Sequence, residues 1–165
     1  MDKKTEANGP QAGKYLTFLL NGGDYGVPIL LVREIIAMHA ITALPRLPGH
    51  VKGVINLRGR IIPVIDLRLR LGMPPADYDK HTCIIVIDAS WMGDEEHAPI
   101  GCIVDTVSEV LFVDEQQIEP TPSFGPGVDT SIALGVAKHP SRATVLTLLD
   151  IRRVLGQVEA SLQAG

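Results

Sequence analysis

Apolar residues occur along the chain in short runs, and residues typical of turns separate most of these runs. The run at 15–20 leads into an Asn-Gly-Gly-Asp segment at 21–24, and apolar character returns at 25–27. An Asn-Gly pair between two apolar segments favours a β-hairpin. We therefore predict two antiparallel strands at the start of the fold.

The clearest hairpin pattern lies in the middle of the chain. Residues 53–57 and 61–66 are mostly apolar, and the turn between them contains Arg58 and Gly59. Pro63 cannot donate a backbone hydrogen bond. We expect its strand to lie at a sheet edge, or its nitrogen to face outward.

Two segments suit more than one element. Residues 29–36 fit either a short helix or a buried strand, and both remain open because so short a run has no decisive periodicity. Leu67, Leu69 and Leu71 alternate with arginines as in a strand, yet the Gly-Met-Pro-Pro stretch at 72–75 suits the end of a helical turn. We predict the helical turn there.

The second half of the chain continues with strands and ends with a helix. A long acidic loop at 90–99 separates two apolar runs that form a second hairpin, and Asp150 can cap a terminal helix. The predicted strands of this half are 82–89 and 100–107 in the hairpin, 110–113, and a last pair at 131–137 and 144–149.

About ten short strands at even spacing predict an all-β barrel or sandwich, without alternating βαβ units. With 45% hydrophobic residues, the chain can form one full globular core. The 54–65 and 84–104 hairpins suggest two lobes of similar size. We expect a flexible tail at 1–13, one domain at 14–157 and a second tail at 158–165.

The net charge of −4 hides a local excess of positive charge between Arg33 and Arg70. A docking partner with an acidic surface fits this stretch, whereas the negative remainder of the chain opposes binding to nucleic acid. A small nucleic-acid-binding barrel stays open as a weaker alternative, because aromatic residues for base stacking are few. It would use Arg58, Arg60, Arg68 and Arg70.

The sequence contains no recognisable catalytic or metal-binding pattern. Glycine-rich phosphate loops and a nucleophile elbow are missing, and the five histidines lack the spacing of metal ligands. Cys83 and Cys102 lie in apolar runs, as expected of thiols in a reducing compartment. We predict a cytoplasmic binding module with no cofactor, no bound metal and no membrane-inserted segment.

One segment resembles the signature of the CheW family of bacterial chemotaxis coupling proteins. It is the Gly-Val-Ile-Asn-Leu-Arg-Gly-Arg-Ile-Ile-Pro-Val-Ile-Asp-Leu stretch at 53–67. Shorter matching pieces follow the family's order at 25–27, 32–35, 44–48, 101–107, 117–119 and 148–150. The resemblance covers about 14–155.

The resemblance implies a mainly β fold of two packed SH3-like five-stranded barrel lobes, with short helices that include a C-terminal one. It also implies a non-catalytic adaptor that joins chemoreceptor cytoplasmic tips to the regulatory domain of the histidine kinase CheA. Such an adaptor is cytoplasmic and reaches the membrane-bound receptor arrays only through its partners. A related adaptor of a twitching-type, non-flagellar chemosensory system would have a nearly identical sequence.

The same resemblance assigns two sets of contact residues. For two of these positions a physical reason adds to the resemblance: the planar fork of Arg58 can bind a carboxylate, and we expect Glu34 to orient it through an ion pair. Gly53 and Gly101, the two glycines of the receptor-binding set given next, also suit positions where only the backbone fits. The receptor-binding set is Val32, Glu34, Gly53, Arg58, Gly101 and Val110. The kinase-binding set is Leu16, Ile29 and Val32.

Overall fold

The computed structural model describes residues 12–90, 99–122 and 130–156, and strands dominate these ranges. The predicted tails and most of the acidic loop at 90–99 lie outside the described residues, although the first strand already begins at Gly13. The strands in the described ranges are β1 (Gly13–Leu20), β2 (Gly23–Pro28), β3 (Val32–Ala37), β4 (Val51–Leu57), β5 (Arg60–Asp66), β6 (Cys83–Asp88), β7 (Pro99–Val104), β8 (Thr106–Val113), β9 (Ile118–Glu119), β10 (Ala133–Lys138) and β11 (Val145–Leu149).

The helical segments are short. Helix α1 spans Leu67–Arg70, which confirms the predicted helical turn, and Asp66 caps it by accepting from the Leu69 N–H. A terminal helix, α2, is described over 151–156. The Asp150 carbonyl accepts its first hydrogen bonds, and the Asp150 carboxylate also receives the Arg153 N–H at 3.4 Å, as the capping prediction requires.

The strands form two sheets, which confirms a mainly β fold with two lobes. A six-stranded sheet has the order β8-β1-β2-β11-β10-β9, and a five-stranded sheet has the order β3-β6-β7-β5-β4. Strands β3 to β7 follow one another in the chain, so the second sheet is an insertion between β2 and β8. The suggestion that the two central hairpins belong to different lobes is wrong, because β4–β5 and β6–β7 share one sheet.

Each lobe has a small core of its own, and a larger core contains residues from both. Ile55, Ile62 and Val86 belong to a cluster made entirely within the five-stranded sheet, and Tyr15 and Leu146 to one within the six-stranded sheet. The shared cluster brings together residues of both sheets and of α2. Burial of this apolar surface stabilises the association of the two lobes.

The segment whose pattern fitted two elements contains both. Ile29–Leu31 forms a single 3-10 turn, and β3 begins directly after it.

Pro63 lies in β5, which is an interior strand. Its register partner Val54 exchanges both backbone hydrogen bonds with Thr42, so the Pro63 nitrogen faces away from β4 and lies on the β7 side. Both predicted options, an edge strand and an outward-facing nitrogen, are therefore wrong. The pairing of β5 with β7 begins only at Val64, so the missing N–H of Pro63 lies at the end of that ladder.

Asp105 lies where the chain passes from β7 in one sheet to β8 in the other. Its carboxylate accepts two hydrogen bonds from Arg68, at 2.8 and 2.6 Å, and one from the Asn21 N–H at 2.9 Å. Arg68 belongs to α1 and Asn21 to the β1–β2 turn. The carboxylate therefore ties the five-stranded lobe to the six-stranded one. Burial by itself would raise the pKa of Asp105, but these hydrogen bonds and the Arg68 charge hold that pKa below its ordinary value.

This pair predicts a pH-dependent contribution to stability. A depressed folded pKa means that the pair stabilises the protein fully above about pH 4, and that the contribution is lost as the pH falls through the folded pKa. We expect Arg68→Gln to lower the free energy of unfolding more at pH 7 than at pH 3, as measured by urea unfolding. An equal loss at both pH values would contradict this assignment.

Candidate interaction surface

The β4–β5 hairpin presents Arg58 at its tip. Arg58 and Gly59 both have positive φ angles, +53° and +87°, as a two-residue hairpin turn requires. The Gly59 N–H donates to the Asn56 side-chain oxygen at 2.8 Å and fixes the turn. The Arg58 side chain is 67% exposed, so a partner can reach most of its guanidinium.

Arg58 donates a hydrogen bond to Glu34, and the predicted ion pair is therefore confirmed. Glu34 belongs to β3, and Arg58 follows β4, which are the opposite edges of the five-stranded sheet. A single antiparallel bridge between Thr42 and Val54 also joins the segment after β3 to β4. These two contacts between opposite edges require a strongly curved, barrel-like sheet.

A cleft of about 260 Å³ opens beside this ion pair, and we call it the arginine cleft. Its apolar part belongs to the core of the five-stranded lobe or lies next to it, whereas its rim is charged. The residues that line it are Arg33, Glu34, Leu57, Arg58, Arg60, Ile62, Val86 and Pro99. The cleft therefore has a charged, solvent-accessible rim above a rigid apolar base.

The two glycines of the predicted receptor set are buried and offer no side-chain contact. Gly53 has a φ of +139°, and a β-carbon there would lie 2.0 Å from the Thr42 carbonyl oxygen. A β-carbon on Gly101 would lie 2.9 Å from Ile84 Cγ2. Any effect of these positions on binding would therefore be indirect, through the shape of the lobe.

The other members of the receptor set lie in two places. Val32 is half-buried and lies on β3, the strand that also carries the cleft residues Arg33 and Glu34. Val110 lies on β8, the edge strand of the other sheet, and is 48% exposed. Phe112, two residues further along the same face of β8, is 61% exposed, and sequence reasoning missed it.

The predicted kinase set divides by burial. Leu16 is 2% exposed and belongs to the shared core, so its assignment as a direct contact is corrected here. Ile29 and Val32 are half-buried and pack against that core from its border. Leu30, in the 3-10 turn between them, is 92% exposed and was not predicted, because nothing in an unbroken apolar run marks which residue points outward.

The described ranges hold no arrangement that indicates catalysis. No group of three or more His, Cys, Asp or Glu side chains there could hold a metal ion. Burial raises the pKa of the Cys102 thiol to about 12 and that of Cys83 in the same direction, which keeps both thiols protonated. None of the helices in these ranges has the length and apolar character needed to span a membrane.

Comparison with known proteins places the chain among proteins that share its domain. A family model described as CheW-like domain matches residues 14–159. The chain is 35% identical to the chemotaxis protein CheW of Klebsiella aerogenes, over 90% of this chain and 85% of that protein. It is 26% identical to Protein FrzA of Myxococcus xanthus, over 93% of this chain and 92% of that protein.

A solved structure extends the likeness to three dimensions. The scaffolding protein TtCheW from Thermoanaerobacter tengcongensis superimposes with a TM-score of 0.71 at 35% sequence identity. The match covers 85% of this chain and 90% of that one. The likeness therefore includes both lobes and not only the segment at 53–67.

Proposed function

We propose that this chain, which belongs to the CheW family of chemotaxis scaffold proteins, joins chemoreceptor cytoplasmic tips to the regulatory domain of the histidine kinase CheA. The family is non-catalytic, so its members act through binding. The observation that carries the proposal is the exposed Arg58 guanidinium, held by Glu34 above a rigid apolar base. A preorganised surface of this kind favours docking because little side-chain entropy remains to be lost.

On this proposal, the receptor tip contacts Arg58, Glu34 and Val32 on the five-stranded lobe and Val110 on β8. Arg58 supplies several N–H donors in a planar fork, which suits carboxylates or backbone carbonyls of the receptor. Gly53 and Gly101 contribute by keeping the five-stranded lobe in shape.

The kinase contact is proposed at the border of the shared core. Ile29 and Val32 offer partial apolar surface there, and the exposed Leu30 adds more. Leu16 supports this border from beneath. Val32 belongs to both proposed surfaces, so it is the position at which receptor and kinase binding would be coupled.

The proposal is tested by mixing the purified protein with a receptor-tip fragment and, separately, with the CheA regulatory domain. We expect binding to both, and simultaneous binding when all three are present. Each contact is expected to be weak alone and stronger in an assembled array, because linked sites raise the effective concentration. Absence of binding to both partners would refute the proposal. A cytoplasmic location beside receptor arrays follows from the same reasoning.

We expect Arg58→Ala to weaken receptor-tip binding by about 5- to 30-fold, which corresponds to about 1–2 kcal/mol. The free energy of unfolding should change by less than about 1 kcal/mol, because the pair with Glu34 is solvent-exposed. Titration calorimetry and urea unfolding measure the two effects. Receptor-dependent kinase activation should fall in parallel.

Arg58→Lys serves as the matched control for charge. It retains one positive charge but loses the planar fork, so we expect binding between that of the wild type and that of Arg58→Ala. Unchanged receptor binding and kinase activation in Arg58→Ala would remove the assigned role of this residue.

A second candidate function is that of an adaptor in a non-flagellar chemosensory system. The chain matches FrzA, a relative that carries a different name, over nearly its whole length. This match supports the second candidate function. Both candidates predict the same kind of docking. Pull-down from native lysate, followed by identification of the captured receptors and kinase, separates them.

A further inference from the structure

The arginine cleft has three positive side chains against one negative. Glu34 is already paired with Arg58. Arg33 has a carboxylate nearby: hydrogen bonds from Ser90 lower the pKa of Asp88, and the Arg33 charge lowers it further. The Arg60 side chain is exposed, and although the backbone of Arg60 pairs with Leu57 across the hairpin, its guanidinium makes no hydrogen bond or ion pair with any residue in the described ranges. Among the residues that the structure describes, it is therefore the uncompensated charge of the cleft.

The placement of Arg60 directs it toward the cleft. Arg60 and Ile62 are two residues apart on β5, so their side chains leave the strand on the same face. Ile62 is buried in the core of the five-stranded lobe, and both residues line the cleft. The aliphatic part of Arg60 can therefore extend the apolar base while its guanidinium remains at the rim.

The size and charge of the cleft limit what it can hold. At about 260 Å³ it lies just below the range of roughly 300–1,000 Å³ that is typical of small-molecule sites. That volume suits one or two side chains of a docked protein. The chain as a whole carries −4, which opposes a long polyanion such as nucleic acid but not a single carboxylate.

We propose that the arginine cleft selects an acidic protein segment, with Arg60 binding an aspartate or glutamate carboxylate while a neighbouring apolar side chain of that segment packs over Leu57 and Ile62. The inference rests on the proposed function, because it takes the receptor tip as the partner. It adds the chemistry of recognition: Arg58, held by Glu34, orients the partner, and Arg60 selects its charge.

The test compares Arg60→Gln with Lys138→Gln, which removes the same charge from the exposed face of β10 on the other sheet. Binding to a receptor-tip fragment is measured over a series of salt concentrations. We expect about tenfold weaker binding for Arg60→Gln, and a shallower salt dependence, since a charge-assisted hydrogen bond is lost. Lys138→Gln should bind like the wild type.

A charge exchange identifies the partner residue. Arg60→Glu is titrated with receptor-tip fragments in which single glutamates are replaced by lysine, and one of these fragments is expected to restore binding. If Arg60→Gln binds the receptor tip as tightly as the wild type does, this inference is overturned and the proposed function remains intact. A wild-type protein that binds neither the receptor tip nor the kinase domain would overturn both. Tighter binding of a DNA duplex than of the receptor tip, abolished by Arg60→Gln, would also overturn the inference.

Discussion

Replacing Gly53 with alanine is expected to lower the free energy of unfolding by at least about 3 kcal/mol. The φ of +139° is a conformation that residues with a β-carbon rarely adopt, and the new β-carbon would lie 2.0 Å from the Thr42 carbonyl oxygen. Relief of that clash would break the bridge between Thr42 and Val54, which closes the five-stranded sheet. Urea unfolding followed by circular dichroism measures the loss.

Gly59→Ala is the matched control for this experiment. Gly59 also has a positive φ, +87°, but a β-carbon there would meet nothing within 4 Å. We expect a loss of about 1–2 kcal/mol from backbone strain alone. The difference between the two variants therefore reports on the contact with Thr42 together with the more restricted φ of Gly53. If both variants lose the same stability, the close approach to Thr42 has no energetic role.

The hairpins could be predicted from the sequence because their signals are local. Asn21 and Gly22, like Arg58 and Gly59, have the positive φ angles that a two-residue turn needs, and apolar strands flank both turns. Local signals do not decide which hairpins share a sheet. The pairing of β2 with β11 joins segments more than a hundred residues apart, and nothing in either strand indicates the other.

The bulge at Gly53 shows a second limit. Val51 and Ile55 would lie on the same face of a regular strand, yet Val51 belongs to the shared core and Ile55 to the core of the five-stranded lobe. A register shift between Val51 and Gly53 turns the strand between them. Alternation in the sequence cannot show such a shift.

Exposure was the least predictable property of the candidate site. Leu16 and Val110 are register partners in neighbouring strands, and both are aliphatic residues in apolar runs. Leu16 is buried because β1 has a strand on each side, whereas β8 lies at the sheet edge and leaves Val110 open. The contact residues can be separated from the core residues only when the strand order is known.

Replacing Gly101 with alanine is expected to lower the free energy of unfolding by about 1–3 kcal/mol through overpacking. Gly101 lies in β7, between β6 and β5, and a β-carbon would stand 2.9 Å from Ile84 Cγ2 and 3.3 Å from Val64 Cγ2. Both neighbours are fully buried, so neither can move without disturbing the lobe's core.

Gly26→Ala is the matched control, because Gly26 is also a buried glycine in an interior strand. A β-carbon there would lie no closer than 3.4 Å to its neighbours, which is ordinary contact, so we expect a change of less than about 1 kcal/mol. Receptor-tip binding is then compared at equal concentrations of folded protein. If Gly101 acts only through packing, the folded Gly101→Ala protein has nearly the wild-type affinity for the receptor tip. If the affinity of the fully folded variant is instead tenfold lower, strand β7 belongs to the recognition surface itself.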